Sequence, residues 1–428
     1  MNINKLFALN GNTSASALTQ VALTQATSYD RVLVKERVQH LFESIGGIGD
    51  IVGAGKKVAI KINLTGGGGG SSAYNMWTHP EVLRAVGELI LDSGVSANNL
   101  YIVEALWNSQ TYASYGYQSV QQGLGAQLVD LNGKAPYTDF TTMTVGSESS
   151  NYPSFTVNGI LQEIDVYVSI PKMKQHYEAG VTGSLKNQIG IVPRQLYTTP
   201  TNTGRRDALH TKDGTVSSTT HLPGSICDLN LARPVHLAVI DGIQNARGGE
   251  GNWNPTFVTC EDHVLLAGKD PVATDSVMAH LMGNDPEAAT LHLPSGGQCD
   301  NHLYILHQKG VGTNLLSEIQ PVGDGAGLMT SVRPGPVTAE PDRFKLFPNY
   351  PNPFNPSTTF RFFLPAAANV TITVYAMNGQ RIETLLDGRL SQGLHEVYWD
   401  PRGIASGAYL CEARAGNARS VIKMIYQK

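Results

Sequence analysis

No run of about eighteen apolar residues occurs anywhere in the 428-residue sequence, which excludes a membrane-spanning helix of ordinary length. Charge is sparse, at 15% of residues, and its balance is a formal −4 with a pI near 6.3. The basic excess of a nucleic-acid binder is therefore missing, so no nucleic-acid partner is expected. Four cysteines (Cys227, Cys260, Cys299, Cys411) are too few to frame a disulfide scaffold in so long a chain. Residues 1–28, rich in Asn, Ser, Thr, Ala and Gln, lack the basic start and apolar core of a secretory signal. Also absent are G-x-S-x-G and any Ser/His/Asp nucleophile string. What remains is globular composition, 41% hydrophobic, in a length suited to two or three domains.

Residues 1–28 read as a polar arm of weak periodicity. In Tyr29–Ile45, Val32, Leu33, Val38, Leu41 and Phe42 recur at helical spacing and Gly46-Gly47 ends the run. Lys57–Leu64 alternates like a strand. The glycines at 66–70 match neither G-x-G-x-x-G nor the P-loop, and a flap or a phosphate cradle are the alternatives. Thr78 with Glu81 three places on and Pro80 between them predicts a capped helix to about Ser93, and Leu100–Ala105 a second strand. Strand, crossover and strand in this length make a βαβ unit with a parallel pair. Further strands are expected at Ala126–Leu131, Ser154–Val157, Ile164–Ile170, Val235–Ile240 and His263–Ala267, with helices at Val272–Met282 and Leu303–Lys309. The fold class is thus α/β, a mostly parallel layered sheet with flanking helices over residues 29–330. Tyr197–Leu231 shows little periodicity and reads as a lid or excursion over the site.

In such sheets ligands bind beyond the carboxyl ends of the strands. After the strand Ile164–Ile170, closed by Pro171, come Lys172, Lys174 and His176, and then Ala179–Ile189 with Thr182, Lys186 and Asn187, expected as a short helix. Three lysines and a histidine there suggest a cationic pocket for an anionic small molecule; a solvated loop is the alternative. Lys172, Lys174 and Lys186 would supply charge, and His176 acid–base chemistry, since its ordinary pKa lies near neutrality. Asn63, Thr65 and Glu104 close the first two strands. Arg205, Arg206 and His210 could reach in from the long loop. Asp241, Asp270 and Asp275 could hold a divalent metal through oxygen ligands; a turn at Asp241-Gly242 and a first-turn acid at Asp275 are the plainer readings. His79 reads as a local hydrogen-bond partner. Cys260-x-x-His263 and Cys299-x-x-His302 could make a tetrahedral zinc site, the alternatives being a Cys260–Cys299 disulfide or two unrelated thiols.

Ser331–Arg343 holds three prolines and little to bury, and reads as a linker. Beyond it, at 344–428, six short strands separated by turns such as Asn378-Gly379 predict a small all-β, immunoglobulin-like sandwich.

KVAIKINL, THPEVLRAV, IPKMKQHYEAGVTGSLKNQIGIVP, RRDALH, VIDGI and AGKDPVATD, in this order, resemble the DUF362 family, α/β proteins of undefined activity, over roughly residues 31–322. The resemblance makes Lys172, Lys174, His176, Thr182, Lys186 and Asn187 a shared site. Some members carry ferredoxin-type clusters, but this chain has no C-x-x-C-x-x-C run, so no iron–sulfur cluster is expected. The tail, from YPNPFNPSTTFRFFLP to SVIKMIYQK, resembles the type IX secretion C-terminal sorting domain, with Tyr350, Asn352, Pro353, Phe354 and Asn355 as its docking signature. That resemblance implies the type IX machinery as partner, an extracellular or outer-surface location, and an N-terminal secretion signal. The start at Met1 departs from it, as a truncated chain or misassigned start codon would explain.

Two functions compete: a secreted protein that binds, and acts on, an anionic small molecule, or a non-enzymatic surface or matrix protein that self-associates. The polar arm, the targeting tail and 17 tyrosines motivate the second.

Overall fold

The computed structural model describes residues 18–64, 75–107, 112–199, 206–212, 216–254, 256–331, 344–347, 349, 352, 354–401 and 403–427. The chain divides into two compact units, Met1–Val332 and Arg333–Lys428. The expected linker, apart from Ser331, lies outside the described residues, as do Thr65 and the glycine run.

In chain order the first unit forms β1 (Thr19–Gln25), α1 (Arg31–Ser44), β2 (Val58–Ile62), α2 (Pro80–Asp92), β3 (Leu100–Glu104), α3 (Tyr117–Leu124) and β4 (Gln127–Asp130). A hairpin, β5 (Phe140–Thr144) and β6 (Ser154–Asn158), leads through α4 (Ile160–Glu163) to β7 (Val166–Ile170), β8 (Lys172–His176) and β9 (Gly180–Thr182). Then come α5 (Asp207–Thr211), α6 (Ser218–Ala232), β10 (Leu237–Arg247), β11 (Val258–Cys260), β12 (Val264–Gly268) and α7 (Pro271–Leu281). The unit closes with β13 (Thr290–His292), β14 (Gln298–Asp300), α8 (His302–Gln308), β15 (Ile319–Val322) and α9 (Leu328–Ser331).

The main sheet runs β15-β1-β12-β10-β7-β2-β3-β4. From β10 to β4 all neighbours are parallel, whereas β12 is antiparallel to both β10 and β1. Alternation in the strands feeds two cores. Val58, Ile60 and Ile62 of β2 and Val166, Val168 and Ile170 of β7 pack with α1, α2 and α3. Ala59 and Tyr167 face the opposite side, against α6, α7 and α8. Helices on both faces explain why these strands are buried throughout.

Three expectations are corrected. Residues 19–25 are no arm: β1 lies inside the sheet, its Val21–Thr24 core hidden in sequence by flanking Thr and Gln. The end of the stretch Tyr197–Leu231 is no excursion, because α6 buries His221 to Asn230 on every side and so shows no amphipathic period; residues 200–205 and 213–215 lie outside the described residues. Its polar residues are used internally; Asp228 accepts from the backbone N–H of Ser150, Asn151 and Tyr152. At α2 the cap is His79, whose Nδ1 accepts from Glu81 N, while the Thr78 hydroxyl bridges Asn63 N and Ile170 O.

The second unit forms two antiparallel sheets. One contains β16 (Lys345–Leu346), β17 (Thr358–Leu364) and β20 (Gly393–Trp399); the other has β18 (Ala368–Ala376), β19 (Arg381–Leu390), β21 (Gly407–Ala415) and β22 (Ala418–Tyr426). Phe360, Phe362 and Trp399 from one meet Ile372, Val374, Cys411 and Met424 from the other in a sandwich core. Of the expected docking signature, Tyr350 and Pro353 lie outside the described residues. Phe354 is buried against Trp399 and Tyr426, so its ring serves the core; Asn352 bonds to the β22 backbone; Asn355 is exposed.

Candidate functional site

The carboxyl ends of β2, β3, β7 and β10 share one rim, and β8 extends it. Beyond Pro171, β8 pairs in parallel with the far half of β10 (Lys172 beside Asp241, Lys174 beside Ala246) and antiparallel with β9 (Lys174 beside Thr182, His176 beside Gly180). A strand period of two places Lys172, Lys174 and His176 on one face. Gly180 has φ +74, and a Cβ there would stand 2.7 Å from the Leu291 side chain.

The expected helix over Ala179–Ile189 is replaced by β9 and a 3-10 turn, Lys186–Ile191. Asp275 of α7 dictates this. Its carboxylate accepts from Ser184 N, Ser184 Oγ and Leu185 N at 2.8, 2.8 and 2.9 Å. One residue past Lys186, Asn187 receives a hydrogen bond from Lys61 Nζ at 3.1 Å and donates to Ser169 Oγ at 3.0 Å. Lys61 also pairs with Glu104 at 2.9 Å, both fully enclosed. The turn is thus fastened on both sides of Lys186.

Among the described residues the Lys186 amine has no hydrogen-bond or ion-pair partner, although its neighbours on either side are bonded. The residue keeps part of its surface open. Burial, opposed by Glu250 and Glu178, pushes its pKa down to about 8. Burial and the charge of Lys186 lower Lys174 to about 7 and His302 to about 3, and hold His176 well below its ordinary value. His210 is lowered by the same two causes.

Among these groups His176, Lys174 and His210 have definite partners. His176 Nδ1 accepts from Glu178 N and Ala179 N at 3.1 and 3.2 Å, so the neutral ring carries its proton on Nε2, 3.8 Å from Glu250 Oε2. Glu250 in turn accepts from Trp253 Nε1 and Tyr177 N. Lys174 Nζ donates to Met76 O at 2.6 Å. His210 Nε2 lies 3.9 Å from Glu178 Oε2. Among the described residues, both ring nitrogens of His302 and the Thr182 hydroxyl are buried with no hydrogen-bond partner. Such groups are costly to bury and belong where something else satisfies them.

The remaining expected site residues go elsewhere. Lys172 is consumed by Asp241 (2.6 Å), Tyr29 OH and Gln244 O, and Asp241 also accepts from Tyr29 OH and His79 N. Asp270 caps α7 and accepts from Thr313 N. It falls at the opposite rim because β12 runs antiparallel to β10. There an open depression of about 650 Å³, between Thr19, Ile45, Lys269 and Gln320, has its one lysine paired with Asp50. The three aspartates therefore do not form a metal site, and among the described residues no three His, Cys, Asp or Glu side chains could hold an ion. All four cysteines are free thiols: Cys260 lies in β11 beside β10 and Cys299 in β14 beside β13, in separate sheets. Neither the zinc tetrad with His263 and His302 nor the disulfide forms. Arg206 is buried and donates to Val192 O and Ala105 O, and Arg205 lies outside the described residues. Asn63 follows β2, and among the described residues its buried Oδ1 has no hydrogen-bond partner.

Sequence reasoning passed over Lys61 and Glu250. A lysine inside a strand buried on both faces needs a buried partner, and that was the available signal for Lys61. Glu250 sits in a glycine-rich turn that carried none.

An α/β sheet covered on both faces, with lysines and histidines gathered beyond its strand ends, is here joined to a separate antiparallel sandwich. The family model described as Domain of unknown function (DUF362) matches residues 58–280, more than half of the chain, and the chain belongs to that family. The secretion system C-terminal sorting domain matches residues 349–427, which marks a secreted or cell-surface protein that engages the type IX machinery. Among the described residues no helix is long and apolar enough to cross a membrane. A thylakoid-associated protein of Synechocystis is 26% identical over 268 residues, 62% of this chain and 75% of that protein. Among solved structures, latent PorU of Porphyromonas gingivalis is 23% identical over 19% of this chain and 9% of its own, with a TM-score of 0.17. PorZ of the same organism is 19% identical over 22% and 13%, with a TM-score of 0.15.

Proposed function

We propose that the α/β unit of this secreted protein binds a small anionic molecule in the pocket of Lys174, His176, Thr182, Lys186, His210 and His302. One observation carries the reading: a lysine amine with no hydrogen-bond or ion-pair partner among the described residues, held by fastened neighbours, stands within charge range of a second lysine and two histidines. A carboxylate or phosphoryl group there would take a charge-assisted bond from Lys186 and a neutral one from His176 Nε2. Glu250 and Glu178 at its edge favour a ligand that also offers hydroxyl or amine donors.

Titrating the full chain with inorganic phosphate, sulfate and citrate by calorimetry tests this. Lys186→Met is expected to weaken binding by about 10- to 100-fold, the worth of one charge-assisted bond. Its melting temperature should not fall, because among the described residues the amine makes no bond to lose and the cost of burying its charge goes with it. Equal affinity of variant and wild type, or no binding of any of the three anions, would overturn the reading.

The pH dependence has a definite sign. In the unfolded chain Lys174 and Lys186 return to the ordinary value of 10.5, but the folded chain holds them at about 7 and 8. Between those values the unfolded state binds more protons, so this pair makes stability rise with pH. Anion affinity should move oppositely, falling as pH climbs from about 7 to 9 while the amines discharge. Affinity unchanged across that range would show that these lysines are not the ligand's cations.

A further inference from the structure

We propose that the Lys186 amine is a nucleophile that forms an imine with a small carbonyl compound bearing an anionic group, an α-keto acid being the simplest case. The proposal rests on the anion-site reading and adds covalent chemistry at a named atom.

The geometry separates Lys186 from the other buried lysines. Lys61 is held by Glu104, Asn187 and Ile62 O; Lys172 by Asp241, Tyr29 and Gln244 O; Lys174 donates to Met76 O. Among the described residues only the Lys186 amine, of these four, has all its valences open, and its residue is the one partly reached by solvent. An attacking amine needs a free lone pair. The groups facing it are Lys61 from β2, Lys174 and His176 from β8, Glu178 from the following turn, His210 from α5, Glu250 from the loop after β10 and His302 from α8. Burial beside other cations is the arrangement that frees a lysine amine near neutral pH, and it outweighs the two glutamates here.

The other groups suit such a substrate. A keto acid places its carboxylate beside the carbonyl carbon, so with that carbon at Lys186 the carboxylate can turn to Lys174 and the Nε2–H of His176, both within range of the Lys186 charge. The His302 nitrogens, without partners among the described residues and within range of the Lys186 charge, can hold the carbinolamine oxygen. The nitrogen lone pair forms the C–N bond as the carbonyl π pair moves to oxygen. Both amine protons then leave with that oxygen as water, giving imine and one water with no oxidation or reduction.

The test is trapping. The full chain is incubated with pyruvate and sodium cyanoborohydride at about pH 7.5, and modified lysines are mapped by peptide mass spectrometry. Reduced adduct is expected on Lys186 at least about tenfold faster than on any surface lysine. Lys186→Arg, which keeps the charge, should lose that adduct while retaining phosphate binding. Lys174→Met removes a neighbouring cation and should shift the pH midpoint of trapping upward, a change that a purely structural role for Lys174 would not produce. Even labelling across surface lysines, or no adduct on Lys186 in a protein that binds phosphate, overturns the proposal and leaves the anion site standing. Trapping at Lys186 in a protein that binds no phosphate, sulfate or citrate would instead sink the anion reading alone.

Discussion

Replacing Asp241 with alanine is expected to cost about 3–5 kcal/mol of folding stability, the range found when one partner of a buried ion pair is removed. Lys172 and Asp241 are both fully enclosed and 2.6 Å apart. Without the carboxylate, Lys172 would keep only Tyr29 OH and Gln244 O, and its charge would stay buried and uncompensated. The same carboxylate accepts from Tyr29 OH ahead of α1 and from His79 N at the cap of α2, so one side chain joins β10, β8 and both helix starts. Urea denaturation of the variant measures the loss, and one below about 1 kcal/mol, the worth of a surface pair, would show that Lys172 finds other compensation. A Lys172→Met, Asp241→Leu double variant should recover most of it, because the penalty belongs to the lone charge.

Glu104→Ala is expected to be similarly severe, about 3–5 kcal/mol, for the same physical reason at the other end of the rim. Oε2 of Glu104 accepts from Lys61 Nζ and Leu64 N, both at 2.9 Å. Burial pushes Lys61 down and Glu104 up, and their mutual attraction opposes both shifts. Removing the acid leaves a buried ammonium and a strand-end N–H. It also loosens the tie from Lys61 to Asn187, which follows Lys186 in the chain. The two variants should therefore differ in function: at temperatures where both stay folded, Glu104→Ala should lose phosphate affinity and Asp241→Ala should largely keep it. Equal affinity in the two would break the proposed link between the Lys61–Glu104 pair and the pocket.

The grouping of residues around Lys186 is legible where they share one local pattern. Lys174, His176 and Thr182 follow from strand periodicity in β8 and its pairing with β9, and Lys186 from its place in the same segment. Lys172 has the same pattern and a different fate, because the residue opposite it in β10 is an aspartate. Asp270 was misplaced for a topological reason: a strand's pattern does not reveal its direction, and β12 runs against its neighbour. His302 entered as a zinc ligand on a C-x-x-H spacing that α8 does not use; the start of that helix instead brings the ring near Lys186.

By itself the sequence determined what is local: the alternation of the central strands, the helices α1, α2, α7 and α8 to within a few residues, the sandwich strands and the motifs of both families. These rest on side-chain period and turn chemistry, which act over a few neighbours. Tertiary structure alone decided which charges are spent on each other and which, among the described residues, are left without a partner. Lys172, Lys174 and Lys186 are alike as residues. Only the partners brought from β10, from the segment before α2 and from α7 leave Lys186 open, since a buried charge is governed by what lies across from it rather than beside it in the chain.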